Sequence, residues 1–179
     1  TWSKMKLAVA PFAIEYILRF PNVNPRSYYN PGPALGKVLS KIVSVFHGEC
    51  NNPACHMLSM MWGTGFPACY EHSQLAATTH DRVGDLFGAT SMNYHRHIRR
   101  MVSKGSAVKY QIENKRYEEL PNNYLDYAND MNTPILFMTG DKNRVFNDSN
   151  IVTHDTLKKI KPDNKNELFI AKGYGHQDT

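Results

Sequence analysis

The stretch that decides the fold is "TPILFMTGDKNRVFNDSNIVTHDTLKKIKPDNKNELFIAKGYGHQDT", residues 133–179. The apolar run Ile135–Met138 follows Pro134 and stops at Thr139-Gly140, which predicts a strand. "NDSNIVTHDTLKKI", residues 147–160, predicts a helix: Asp148 or Ser149 can cap it, and Ile151, Val152, Leu157 and Ile160 supply an apolar face. "NELFIAKG", residues 166–173, predicts the next strand. Strand, helix and strand in close succession make a β-α-β unit, and hence a parallel pair joined by a right-handed crossover.

In open parallel sheets the functional residues gather at the carboxyl ends of the strands. Here those ends are "TGDKN" and "KGYGHQD", so Asp141 and His176 fall just past two strands of one unit. A carboxylate beside a histidine is the orienting part of a nucleophilic triad. The acid fixes the tautomer and stabilises the imidazolium, and the ring takes a proton from Ser or Cys. Gly173 and Gly175 give the loop the freedom to turn sharply and aim the ring. The plainer reading of the same residues is a turn aspartate and a surface histidine.

Upstream, Pro11 divides residues 1–20 into two short elements. Residues 21–36, with four prolines, read as an irregular loop. Leu35, Val38, Leu39, Ile42, Val43 and Phe46 recur at helical spacing and predict one apolar helix face. Further helices are expected over 73–87 and 91–103, and a short strand signal lies within "AVKYQIENKRYEELPNNY", residues 107–124.

Cys50, Cys55 and Cys69 are the only cysteines. "CNNPAC" is followed by His56, and His72, His80 or Cys69 could complete a zinc set. Zinc ligands usually come as two closely spaced pairs. The residues are therefore read as thiols, with a tight disulfide second, zinc third and no metal assigned. From His95 to Arg116 the chain is rich in Lys and Arg, with Tyr94 and Tyr110 beside them. A solvated helix face explains this better than a nucleic-acid groove. The chain has 179 residues, net charge +5 and 41% apolar residues, an ordinary globular mix. No apolar run reaches the length of a membrane span.

The segments "TPILFMTGDKNRVFNDSN", "TLKKI" and "ELFIAKGYGHQD" resemble the C-terminal part of an α/β-hydrolase. The nearest likeness is the hydrolase-like domain fused to FAD-dependent, cholesterol-oxidase-type proteins and akin to acid lipases. "GYGHQD" matches that family's closing histidine motif. "CNNPACHMLSMMWGTGFPACYEHSQL" and "THDRVGDLFG" resemble its inserted cap.

The resemblance implies an α/β fold: a partial α/β-hydrolase with an α-rich cap followed by the last parallel β-α-β unit of the core sheet. Residues 1–20 would end the preceding core segment, 21–120 form the cap and 121–179 complete the core. It implies Ser-acid-His chemistry in that chain order, with His176 as base and Asp141 as acid. The position three residues after Gly140, where many relatives carry the acid, holds Asn143; Asp148 is a further candidate. The Met-rich run with Met60, Met61 and Trp62 reads either as flexible core packing or as the lining of an apolar pocket for a lipid-like ester, with Gly63 and Gly65 as hinges.

The sequence has no G-x-S-x-G; "KGSAV", residues 104–108, is not one. The nucleophile, the first strands and the oxyanion loop are therefore expected in the remainder of a parent polypeptide. The start at Thr1 and the stop three residues past His176 carry the same expectation. The chain needs no cofactor in this reading. The alternative is an accessory, inactive domain of an FAD-dependent sterol or alcohol oxidoreductase, in which FAD belongs to the fused parent.

Overall fold

The computed structural model describes residues 9, 12–26, 33–63 and 68–179. Along the chain the elements are β1 (Asn22–Val23), α1 (Pro33–Val45), α2 (Pro53–Trp62), α3 (Ala77–Asp81), β2 (Thr90–Ser91), α4 (Met92–Lys104), β3 (Leu136–Gly140), α5 (Ser149–Ile160) and β4 (Glu167–Ala171). The fold is mixed α/β with two small sheets. β1 pairs with β2 antiparallel and β3 pairs with β4 parallel.

The C-terminal β-α-β unit forms where its periodicity places it. The register runs from Leu136 opposite Glu167 to Gly140 opposite Ala171. Before it, the Asn166 side chain accepts the Ile135 N–H at 3.0 Å, so a buried amide fixes where pairing begins. Asp148 stands at the N-cap of α5 without a side-chain cap bond. Phe137 meets the His154 ring of α5, which puts α5 over the face that Phe137, Leu168 and Ile170 share. The opposite face carries Leu136, Met138 and Phe169. These are 62%, 44% and 53% exposed among the described residues.

The helical region differs from expectation in two places. In α1 the buried stripe is Gly36, Ser40 and Val43, whose small side chains admit α2, with His56 Nδ1 and Ser44 Oγ 2.9 Å apart. Leu35, Val38, Ile42 and Phe46 of the expected apolar face are exposed, while Leu39 and Val43 pack inward. The single helix expected over 73–87 is broken into a 3-10 turn at His72–Gln74, α3, and a second turn at Val83–Asp85. Leu75 and Ala76 are extended between the first two. Leu75 and Val83, on either side of the break, pack on one core cluster.

The helix expected over 91–103 is α4. Ser91 caps it by accepting the Tyr94 N–H, and Gly105 ends it in the left-handed region at φ 65°. The strand signal in 107–124 yields only the bridge Val108–Asn123 among the described residues. Of residues 1–20, Ala13–Ile17 form one π-helical turn; residues 1–8, 10 and 11 lie outside the described residues. The proline-rich loop is described only up to Arg26 and from Pro33; it contributes β1.

Two core clusters meet on α2. Met57 packs with Ile14, Phe20, Val23, Val43 and Met92. Cys55 and Leu58 pack with Cys69, Tyr70, Val83 and Val145, the last from the C-terminal unit. Leu58 is wholly buried, so Leu58→Ala is expected to lower unfolding free energy by about 2–5 kcal/mol in urea denaturation. The same truncation at exposed Val152 is expected to cost under about 0.5 kcal/mol.

Candidate functional site

The two strand-end loops are stitched together by backbone. Asp141 N donates to Ala171 O at 3.0 Å and Lys142 N to Tyr174 O at 2.8 Å. Asp141 Oδ1 accepts the Gly173 N–H at 2.7 Å. Glycine makes the approach feasible. A methyl at Gly140 would overlap the carbonyl oxygens of Tyr174 and Gly175, and Gly173 sits at φ 80°.

The His176 loop then lies on a second surface, the segment Cys69–Gln74. His176 N and Gln177 N both donate to Cys69 O, at 3.1 and 3.0 Å. Asp178 grips two amides at once: Oδ2 accepts Gly175 N at 2.8 Å and Oδ1 accepts Glu71 N at 3.3 Å. Gln74 Nε2 donates to Gly173 O at 3.3 Å. A side chain on Gly175 would meet Glu71 N and the Asp178 carboxylate at 2.7 Å. The glycines thus serve close backbone contact as much as turning.

Burial lowers the His176 ring's pKa below its usual 6.5, and the nearby Asp178 carboxylate partly opposes this. The ring is therefore neutral at pH 7, the form a general base needs. Asp141 is exposed, with its carboxylate on the Gly173 amide. No hydrogen bond joins it to the His176 ring among the described residues. Asn143 is buried; its Nδ2 donates to Thr139 Oγ1 at 3.0 Å and its Oδ1 accepts Val145 N at 2.8 Å. An amide both donates and accepts there, which a carboxylate could not do. Asp148 stands at the start of α5, exposed.

Met60 and Met61 are half-buried against the first core cluster. Trp62 packs on the second, stacked on His95 with centroids 5.2 Å apart and edge-on to Tyr94 at 5.5 Å. All three therefore have packing roles on α2. Gly63 is a packing glycine: a methyl there would overlap the Ala68 side chain. Gly65 lies outside the described residues.

The basic stretch spends much of its charge internally. Arg96 pairs with Glu15, and Lys109 Nζ is buried, donating to Tyr117 O and Leu120 O at 3.1 and 3.3 Å. No helix among the described residues is long and apolar enough to cross a membrane.

A second constellation was not assigned from sequence. Cys50, Cys55, His72 and His80 converge, one ligand atom from each lying within 4.8 Å of all the others. All three cysteines are free thiols. Burial, then the neighbouring Cys50, push the Cys55 thiol well above its usual range; burial and His80 lower His72. The sequence signal is C-x4-C followed by two histidines eight residues apart. A continuous helix would separate those histidines by about 12 Å.

No known protein family, curated protein or solved structure matches the chain.

Two outcomes follow from the loop geometry. Gly140→Ala is expected to unseat residues 174–175 and cost roughly 1–3 kcal/mol, read by thermal unfolding and by lost amide protection in 173–178. In an NMR titration the His176 ring is expected to titrate below 6.5. Asp178→Asn removes the carboxylate that favours imidazolium, so it is expected to lower that midpoint further.

Proposed function

We propose that the chain is the second half of a serine hydrolase acting on a lipid-like ester, with the nucleophilic serine in the remainder of a parent polypeptide. The observation that carries the reading is the pair of strand-end loops at the carboxyl ends of β3 and β4, locked by Gly140 and Gly175 and presenting a neutral His176. The apolar face of Leu136, Met138 and Phe169 adds support. Parallel sheets are normally covered on both faces, and here only one is covered by a described element.

In this mechanism His176 takes the proton of the serine hydroxyl as its oxygen attacks the ester carbonyl. The imidazolium then gives that proton to the departing alcohol, leaving an acyl-enzyme. Water, deprotonated by the same ring, attacks the acyl carbonyl and releases the acid and the free serine. In this reading Asp141 is the acid, and its carboxylate, now on the Gly173 amide, would turn to the His176 ring when the site is complete. Met60, Met61 and Trp62, on α2, would border the acyl site with the half-exposed parts of their side chains.

One observation favours the alternative, a catalytically silent domain of an FAD-dependent sterol or alcohol oxidoreductase. Asn143 is committed to its turn, and the Asp141 carboxylate to Gly173. The deciding experiment treats the intact natural protein with a fluorophosphonate probe and maps the label by mass spectrometry. The hydrolase reading expects a labelled serine in a G-x-S-x-G peptide outside this sequence. It also expects His176→Ala to slow labelling by roughly 10³-fold or more. A folded protein with no labelled serine rejects the hydrolase in favour of the accessory domain.

A further inference from the structure

We propose that Cys50, Cys55, His72 and His80 form a tetrahedral zinc site whose role is structural. The ligand set is two sulfurs and two imidazole nitrogens, one of the usual sets of a closed structural zinc site. At ordinary zinc–ligand bond lengths the edges of such a tetrahedron are about 3.3–3.8 Å. The four atoms already lie within 4.8 Å of one another, and Cys55 Sγ and His72 Nε2 are 3.3 Å apart. A small contraction closes the site.

The backbone is arranged for this convergence. Asn52 caps α2, its Oδ1 accepting Ala54 N at 2.9 Å and Cys55 N at 3.3 Å, which sets Cys55 in the first turn. The Asn52 Nδ2 donates to the His80 carbonyl at 2.6 Å and so holds the far end of the set. The break at Leu75–Ala76 brings the His72 and His80 rings to a centroid separation of 4.7 Å. His80 Nε2 is buried and has no hydrogen-bond partner. An orphaned acceptor or donor of that kind costs free energy unless something binds it.

Charge decides between metals. Two thiolates neutralise one Zn²⁺, so the filled cluster is neutral in a half-buried setting, while the mixed sulfur–nitrogen set suits zinc over calcium or magnesium. The four ligands leave no open position, which makes the site a clip and not a catalyst. It ties residues 50–55 to 72 and 80. Glu71, the neighbour of His72, donates its amide to Asp178, and Cys69 O receives the amides of His176 and Gln177. The clip therefore steadies the shelf under the C-terminal loop. The assignment stands on these four side chains and is independent of the hydrolase reading.

The test is elemental analysis of the chain purified without chelator, followed by cobalt(II) substitution. One zinc per chain is expected, and the cobalt form is expected to show thiolate charge-transfer and tetrahedral ligand-field bands. Cys50→Ser and His80→Ala are each expected to take bound zinc from one per chain to near none. Cys69→Ser, whose Sγ faces the Leu58 carbonyl at 3.7 Å outside the cluster, is expected to keep it. The proposal is overturned if the wild-type chain, folded by circular dichroism, neither contains zinc nor takes it up when zinc is added. It is equally overturned if the Cys50→Ser, His80→Ala double variant retains zinc like wild type.

Discussion

Everything else hangs on the burial of α2 from both sides. Met57 faces one cluster and Leu58 the other, and both are wholly removed from solvent. Each such side chain contributes roughly 1.5–3 kcal/mol by transfer alone. More important is what the two faces connect. One gathers the N-terminal segment, α1 and α4; the other gathers Cys69, Tyr70 and Val83 and reaches Val145 in the C-terminal unit. A helix used in this way spends most of its apolar surface on packing and leaves only the half-exposed parts of Met60, Met61 and Trp62 for a ligand. That is why the Met-rich run, so suggestive as a pocket lining, largely serves as packing.

The segment Cys69–Gln74 transmits this rigidity to the C-terminal loop. It is neither strand nor long helix. It serves as a shelf through its backbone: the loop's amides take Cys69 O, and Asp178 takes Glu71 N. Small side chains decide whether the shelf can be reached. Gly140 and Gly175 allow backbone to touch backbone, and any Cβ at either position would intervene. Gly175 is thus explained by contact with Glu71, more than 100 residues away in sequence, and Gly140 by contact with the Tyr174–Gly175 backbone.

The parts legible in the sequence were those settled by neighbours along the chain. The apolar run of β3, the repeat in α5 and the helix expected over 91–103 are local signals, and the structure follows them. The parts missed were settled by distant contacts. Residues 73–87 have helical periodicity, yet the chain is extended at Leu75 and Ala76, and Leu75 and Val83 pack on one cluster from separate short turns. In α1 the larger apolar residues lie outside while Gly36, Ser40 and Val43 lie inside, because partner fit and the His56–Ser44 contact outweigh hydrophobicity counted residue by residue. The four ligand candidates could be named in the sequence, but their convergence could not, because a continuous helix would hold His72 and His80 about 12 Å apart.

The uncovered face of the parallel pair gives the last constraint. Two strands alone are marginal in water, and a parallel pair more so than an antiparallel one. Here the pair is held from one side by α5 and from its carboxyl end by the loops on the Cys69–Gln74 shelf. Leu136, Met138 and Phe169 stay about half exposed on the other face. The unit is thus anchored at the end where its chemistry would lie and left open along the other face. That polarity suits a sheet in which the terminal strands carry the histidine loop and a further layer covers the remaining apolar face. It also means that the loop's geometry, fixed by glycine contacts and by the shelf, does not wait on that layer for its shape.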